Sequence, residues 1–412
     1  MLALRPADAA AKVNLALCEK LLRESGGTAL NRDQKLQLLA ALNDQKRVLE
    51  AAPLAAVLNP DIAAARTAIL SRLREVRKQK GWADNRVETL PDGTFRINFL
   101  QLSIDDFSVL KGLPITALAF KESPIADLST LAGLPLRELV LIFTKVSDLS
   151  PLRGMPLDTL IIEGIDRRPK LPVSDISPLR GMKLKKLSLK LTEVTDISPL
   201  AGAPLEELDL QQTRVTDLTP LAQCRNLRRL DADHTPLSDL APLAGLPLTR
   251  LSCRGRAITS LAPLAGAPLI ELEAWEVGAT DLSPLAQCTK LEKLNLRGTP
   301  VTDLSPLAKL RLTWLDVSGG QMTSIAPLRG QPLRYLNVES TRLTDLTPLL
   351  ECTELEDLRA RDSPAPIEPF RGHKSLRIIS YGPGNLPESR VGRPVELFWK
   401  AYDAQPKPAG KK

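Results

Sequence analysis

The sequence predicts an α/β fold: a right-handed solenoid with a parallel sheet on its concave side, preceded by a small α-helical segment. Two observations carry this expectation. The first is a repeat: the stretch 196–216, DISPLAGAPLEELDLQQTRVT, recurs with its first residue at Asp106, Asp127, Asp148, Asp175, Asp196, Asp217, Asp239, Ser260, Asp281, Asp303, Ser324 and Asp345. Most steps are 21 residues, two are 22, and the step from Asp148 to Asp175 is 27. A period this short means stacked supersecondary units, since one copy cannot bury its apolar face alone. The second is the pattern within a copy. In PLEELDL, Leu208 and Leu210 alternate to one face of a short strand while Glu207, Asp209 and Gln211 point to the other. A parallel strand–crossover–strand path then favours the right hand.

Residues 1–85 form the expected helical segment. Helices are predicted from about Pro6 to Glu24, from about Asn31 to Leu49, and from Asn59-Pro60-Asp61 to near Lys80-Gly81. The end of the last one, SRLREVRKQK at 71–80, is basic, which suits a helix C-terminus and would also suit a phosphate or lipid surface. RVETLPDGTFRINF, 86–99, reads as a hairpin turning at Pro91-Asp92-Gly93, with Ile97 and Phe99 in the two leucine positions of a first rung.

Twelve rungs follow, centred on Leu118, Leu139, Leu160, Leu187, Leu208, Leu230, Leu251, Leu272, Leu294, Leu315, Leu336 and Leu358, and a degenerate one on Ile379. Within each copy, Ser-Pro as at Ser198-Pro199 predicts the start of a short helical turn with the serine hydroxyl as its cap. Gly202 is placed to end that turn in a left-handed conformation. The long step inserts EGIDRRPKLP, 163–172, which must bulge at one rim. The array is expected to span 86–392. RPVELFWKAYD, over 393–403, then forms a capping helix with Val395, Phe398, Trp399 and Tyr402 on one face, and 404–412 a disordered basic tail.

The L-x-x-L-x-L frame followed by T-x-V-T-D-L-S-P-L resembles the short, internalin-type class of bacterial leucine-rich repeats, over roughly residues 94–390. Where that class usually has asparagine at the turn, this chain mostly has threonine (Thr144, Thr192, Thr213, Thr235, Thr299, Thr341), with Arg256, Val277 and Gly320 as exceptions. The resemblance implies a leucine-rich repeat solenoid and a protein-binding scaffold. Arrays of this kind also resemble segments attached to bacterial serine/threonine kinases, which leaves a regulatory piece of a kinase system as an alternative. The chain itself has no glycine-rich phosphate loop and no HRD catalytic loop, and Asp106-Phe107-Ser108 is simply the first repeat anchor.

Charge and cysteine narrow the partners. The net charge of +7 sits at the ends: residues 1–93 carry fifteen Lys/Arg against eleven Asp/Glu, 404–412 carry three lysines, and the array between is neutral. That argues against a single-sign field for nucleic acid on the array. It leaves, as a second alternative, a nucleic-acid or membrane-surface adaptor working through 71–80 and the lysine tail. Of five cysteines, Cys224, Cys288 and Cys352 recur three repeats apart, too far to bridge, and read as small apolar fillers like Cys253. Such cysteine usage, with no apolar run for a secretory signal in MLALRPADAAAK, leads to the expectation of a cytoplasmic monomer. No stretch is long and apolar enough for a membrane span.

Material for catalysis or metal binding is sparse. There are two histidines: His373 stands in HKSL, and His234 follows Asp231 and Asp233 in a D-x-D-H cluster that Arg229, Arg250 and Arg254 would neutralise. No enzyme activity, cofactor or metal is expected. Outward charges tend to alternate in sign between adjacent rungs: Lys186 and Lys190, then Glu207 and Asp209, then Arg229 with Asp231 and Asp233, then Arg250 and Arg254, then Glu271 and Glu273, then Lys293 and Arg297. Such a face neutralises itself. Three of the chain's fourteen aromatic residues break the pattern: Trp275, Trp314 and Tyr335 all take outward positions, Trp314 and Tyr335 on adjacent rungs. With Glu273, Asn295 and Arg297 beside them they compose the expected protein-binding site, in which aromatic residues act as hot spots.

Overall fold

Each copy of the repeat is assembled from the same local interactions, and the copy at 281–301 shows them. The chain is described here by a computed structural model covering residues 60–77, 86–101, 106–382 and 392–404. The expected helices at 6–24 and 31–49 and the tail beyond 404 lie outside the described residues. Asp281 Oδ1 accepts from the Ser283 N–H at 2.7 Å and Oδ2 from its hydroxyl at 2.8 Å. This braces a 3-10 turn, Ser283–Gln287, that buries Leu285. The brace is therefore the aspartate and not the serine expected to cap the turn: the Ser283 hydroxyl donates to Asp281, and the turn has no side-chain cap hydrogen bond of its own. The same pair of bonds recurs from Asp106 to Ser108 and from Asp196 to Ser198. Where serine replaces the aspartate, Ser260 and Ser324 accept the equivalent N–H at 3.2 and 3.3 Å. Beyond most strands a residue in the left-handed region turns the chain, and the threonine that follows at Thr192, Thr213, Thr235, Thr299 and Thr341 donates to the carbonyl three residues back, as Thr299 does to Leu296 (2.7 Å). Gly202, at φ +70°, ends its 3-10 turn as expected.

The chain divides into two compact units, one ending at Leu187 and the other starting at Ser188. In the first, α1 (Pro60–Arg77) precedes a hairpin of β1 (Val87–Thr89) and β2 (Phe95–Leu100). β2 continues in parallel into β3 (Ile115–Lys121), β4 (Glu138–Ile142) and β5 (Thr159–Glu163). Ile97 faces Leu118 across the first parallel pair, and both are fully buried. Phe99 and Phe120 stack at 4.9 Å, with Phe107 edge-on to both. α1 closes this end: Ile69 and Leu73 are buried, and Arg72, part of the basic 71–80 stretch, donates to the carbonyls of Val109 and Lys111, each at 2.9 Å. The 163–172 insertion folds back so that Arg168 lies 5.2 Å over the Phe143 ring.

β6 (Lys186–Ser188) contains the division. The second unit holds β7 (Glu207–Asp209), β8 (Arg229–Ala232), β9 (Arg250–Arg254), β10 (Glu271–Trp275) and β11 (Lys293–Asn295). β12 (Trp314–Asp316), β13 (Tyr335–Asn337), β14 (Asp357–Arg359) and β15 (Ile378–Ser380) complete its parallel run in chain order. The inward row Leu208, Leu230, Leu251, Leu272, Leu294, Leu315, Leu336, Leu358 and Ile379 is buried throughout. Cys224, Cys288 and Cys352 are more than apolar filler. Each thiol donates to a carbonyl of the preceding repeat: Leu200 (3.4 Å), Leu264 (3.2 Å) and Leu328 (3.2 Å). Gln331 fills the equivalent place with its amide on Leu307 O (2.7 Å).

At the far end the chain differs from the expected uninterrupted helix. Arg393 and Pro394 form a short strand, β16, antiparallel to β15, and α2 runs from Val395 to Asp403. Gly392 leads in where a Cβ would come 2.3 Å from Ile378 Cγ2. α2 buries Phe398 and Trp399 and places Arg371 4.3 Å over the Trp399 ring. Asp403 grips the same guanidinium at 2.7 and 3.0 Å, and the Tyr402 hydroxyl donates to Glu368 at 2.6 Å.

Two outcomes follow from these contacts. Removing residues 393–403 bares Ile379 and the ring cluster to water, so the truncated protein should melt lower and bind an apolar dye; an unchanged Tm without dye binding would contradict the capping role. Acid should also destabilise the repeats. The backbone N–H and then the hydroxyl of Ser129, Ser150, Ser177 and Ser283 hold Asp127, Asp148, Asp175 and Asp281 below the ordinary carboxylate range. A carboxyl depressed on folding contributes stability above its unfolded pKa and loses it as pH falls through the folded one. Tm should therefore hold from neutrality to about pH 5 and fall below about pH 4. Asparagine at these four positions should flatten that acid limb; an identical limb in the substituted protein would contradict the role.

Candidate functional site

The outward face of the second unit is ordered by strand register. Its first row runs Glu207, Arg229, Arg250, Glu271, Lys293, Trp314, Tyr335, Asp357, Ile378. The second, two residues on, runs Asp209, Asp231, Ser252, Glu273, Asn295, Asp316, Asn337, Arg359, Ser380. Much of the first row is self-neutralised, as the alternating signs predict: Arg229 meets Glu207 at 3.1 Å and Arg250 meets Glu271 at 3.4 Å. The second row is largely structural. Asp231, Asn295, Asp316 and Asn337 each accept, through one side-chain oxygen, the backbone N–H two residues further along. That N–H faces the end of the ladder, where the strand is already turning away.

Two rings interrupt the charged row. Trp314 and Tyr335 are half-buried and stack in parallel, centroids 4.8 Å apart at 4°. The separation equals the spacing of neighbouring strands. The Arg359 guanidinium lies 5.9 Å from the Tyr335 ring and is itself held by both Asp357 oxygens at 3.0 Å. The order across the sheet is thus Arg359, Tyr335, Trp314, with the outer face of the indole turned toward the strand of Lys293. Burial pushes the Tyr335 phenol up to about 12, with the Asp316 carboxylate adding to the effect. Beside the rings lies an open groove of about 480 Å³ lined by Lys293, Thr313, Trp314, Arg334, Tyr335, Glu356, Asp357, Arg377 and Ile378. Arg334 binds Glu356 at 2.5 and 3.0 Å along its rim.

The other expected site residues fall elsewhere. Trp275 stands four residues beyond Glu271, which holds the row position of Trp314 two strands away. Two strand spacings and four residues of rise separate Trp275 from the stacked pair by on the order of 16 Å. It forms its own centre under Arg254, 5.8 Å from the ring, which also binds both Glu276 oxygens at 2.9 Å. The Trp275 indole N–H is buried without an acceptor. Asn295 is only 8% exposed and donates to Glu273 at 2.7 Å, so both are committed within the sheet; Arg297 is exposed. Burial raises the Glu273 carboxyl above its ordinary range, the Asn295 bond opposing. The groove residues Arg334, Asp357 and Arg377 were not singled out by sequence. Writing the repeats in register would have placed Asp357 beside Tyr335, with Arg334 and Arg377 one residue ahead of the row.

The D-x-D-H cluster is spoken for. The Asp231 carboxylate accepts the Asp233 N–H at 3.1 Å, and His234 Nε2 meets Arg254 Nη1 at 3.1 Å. Burial, then the Asp231 charge, raise Asp233 above the ordinary carboxylate range. Among the described residues no group of three or more His, Cys, Asp or Glu side chains is arranged to hold a metal.

Short parallel strand, corner, braced 3-10 turn and return make the copies leucine-rich repeats, and the fold is that of a leucine-rich repeat protein. Among solved structures the chain is similar to an internalin, InlF, from Listeria monocytogenes, at 24% identity over 78% of this chain and 91% of that one, with a TM-score of 0.57. It is also similar to PEPR1 in the PEPR1–AtPEP1 crystal structure, at 18% identity over 79% of this chain and 53% of that one, with a TM-score of 0.54. These likenesses establish the repeat fold. No family model and no curated protein matches the chain. Among the described residues no helix is long and apolar enough to cross a membrane.

Inward and outward residues of one strand should separate in their effects. Leu315→Ala, at a fully buried position, should cost about 2–5 kcal/mol of stability. Trp314→Ala loses one stacked contact and should cost about 1 kcal/mol. Equal losses in denaturant titrations would contradict the placement of Trp314 on the free face.

Proposed function

We propose that the chain is a non-enzymatic scaffold that binds a protein or peptide on its outward sheet face, with Trp314 and Tyr335 at the centre of the contact. The observation that carries this reading is the stacked, half-buried pair beside an open groove whose two carboxylates, Glu356 and Asp357, are held by Arg334 and Arg359. Large rigid rings supply contact area at little entropic cost, and carboxylates already paired within the sheet add little further desolvation on binding. Arg297 and the Trp275–Arg254 centre extend the same face and serve as outlying contacts, while Glu273 and Asn295 hold the surface in shape. The repeat fold shared with InlF and PEPR1 is compatible with such a scaffold. The buried free thiols, three of them donating to backbone carbonyls, suit a reducing compartment such as the cytoplasm.

The test is capture from a lysate of the native cell. Partners held by the unaltered chain should be lost from Trp314→Ala with Tyr335→Ala, with affinity falling at least ~30-fold, while Tm shifts little. Lys186→Ala with Lys190→Ala should retain them. Normal capture by the double aromatic variant would place the functional surface elsewhere.

A further inference from the structure

We propose that the groove beside Trp314 and Tyr335 takes an extended acidic peptide segment of the partner, laid across the strands. In that segment an apolar or aromatic residue sits between two carboxylates. The proposal rests on the binding reading above and adds the chemistry of the occupant.

Charge bookkeeping in the groove points to an anion. Both carboxylates lining it are consumed internally: Glu356 by Arg334, and Asp357 by Arg359. The cations at its two ends are not. Among the described residues Lys293 has no ion pair, and Arg377, with a side chain 77% exposed, reaches only 3.9 Å from Glu356. An incoming carboxylate at either end therefore displaces no strong internal partner, whereas an incoming lysine or arginine would have to compete for Glu356 or Asp357.

The centre of the groove calls for an apolar residue. One face of Tyr335 is covered by Arg359 and the other by Trp314, which leaves the outer indole face as the open aromatic surface of the stack. A ring, proline or aliphatic side chain packed there continues the stack toward Lys293. Register then sets the spacing. Lys293 belongs to β11 and Arg377 immediately precedes β15, four strand steps away. At about 4.8 Å per step the span is on the order of 19 Å, and an extended chain rises about 3.3 Å per residue. The two carboxylates should thus lie about six residues apart, within the play of the lysine and arginine arms.

Selection of random dodecapeptides displayed on phage against the full-length chain tests this. Clones that bind the unaltered chain but not Trp314→Ala with Tyr335→Ala should carry two Asp or Glu residues five to seven apart with an apolar residue between. Trp314→Phe, which keeps an aromatic ring, should retain them, and melting curves verify that each variant is folded. Against Lys293→Glu with Arg377→Glu, those acidic peptides should weaken at least ~10-fold, and new clones should turn basic. Clones that depend on the rings but show no paired acids would overturn the acidic-peptide proposal while leaving the binding reading intact. The absence of ring-dependent clones would overturn both. Ring-dependent binding of a labelled single-stranded oligonucleotide, without acidic clones, would assign the groove to nucleic acid and overturn the proposal.

Discussion

The structure depends on one constraint: the inward leucines of a strand can leave water only against the leucines of the strands on either side. Leu272, Leu294, Leu315 and Leu336 are each fully buried, yet each strand offers only a few residues to achieve this. Local bonding supplies the regularity that makes the stacking possible. The aspartate or serine brace, the left-handed corner and, at Thr192, Thr213, Thr235, Thr299 and Thr341, the threonine back-bond give the copies a common shape, so that successive leucines fall in register. The ends need separate closure, which Arg72 of α1 and the rings of α2 provide. All of this is accomplished by inward and corner positions.

The outward positions are consequently free to vary, and their chemistry can be read as function. Most cancel one another: arginine faces glutamate across neighbouring strands, or asparagine and aspartate tie down the end of the ladder. The region of Trp314 and Tyr335 is different in kind. Asp357 orients Arg359, Arg359 covers Tyr335, and Tyr335 supports Trp314, a chain of contacts that holds the indole in place before any partner arrives. Such preorganisation lowers the entropic cost of binding. The free cations stand at the ends of the groove, where they steer and orient a partner without burying an unpaired charge.

How much of this was legible depended on whether a feature repeats. The rungs, their centres and the first rung at Ile97 and Phe99 were readable because a 21-residue period leaves little choice of register. The contact of Trp314 with Tyr335 followed from the same arithmetic. Trp275 was grouped with Trp314 and Tyr335 in one site because outward direction was considered without position along the strand, and four residues of rise outweigh two strand spacings. Asn295 looked like a surface contact because its outward face was visible in the pattern, whereas its two internal hydrogen bonds were not. The turn brace was assigned to serine because both Asp and Ser are good acceptors; geometry decides for Asp, whose two oxygens take the N–H and the hydroxyl together. β16 had no signal, since two residues are too few to show a period, and the thiol bonds of Cys224, Cys288 and Cys352 depend on distances no spacing reveals.

The claim that binding resides in the outward ring pair can be measured directly by fluorine NMR on protein labelled with 5-fluorotryptophan, which reports separately on each of the four tryptophans. Resonances are assigned by replacing one tryptophan at a time with phenylalanine. On addition of a captured partner, the Trp314 resonance should shift or broaden most. Trp399, sealed under Arg371 in α2, should not move. A bound complex in which the Trp314 resonance is unchanged would contradict the account.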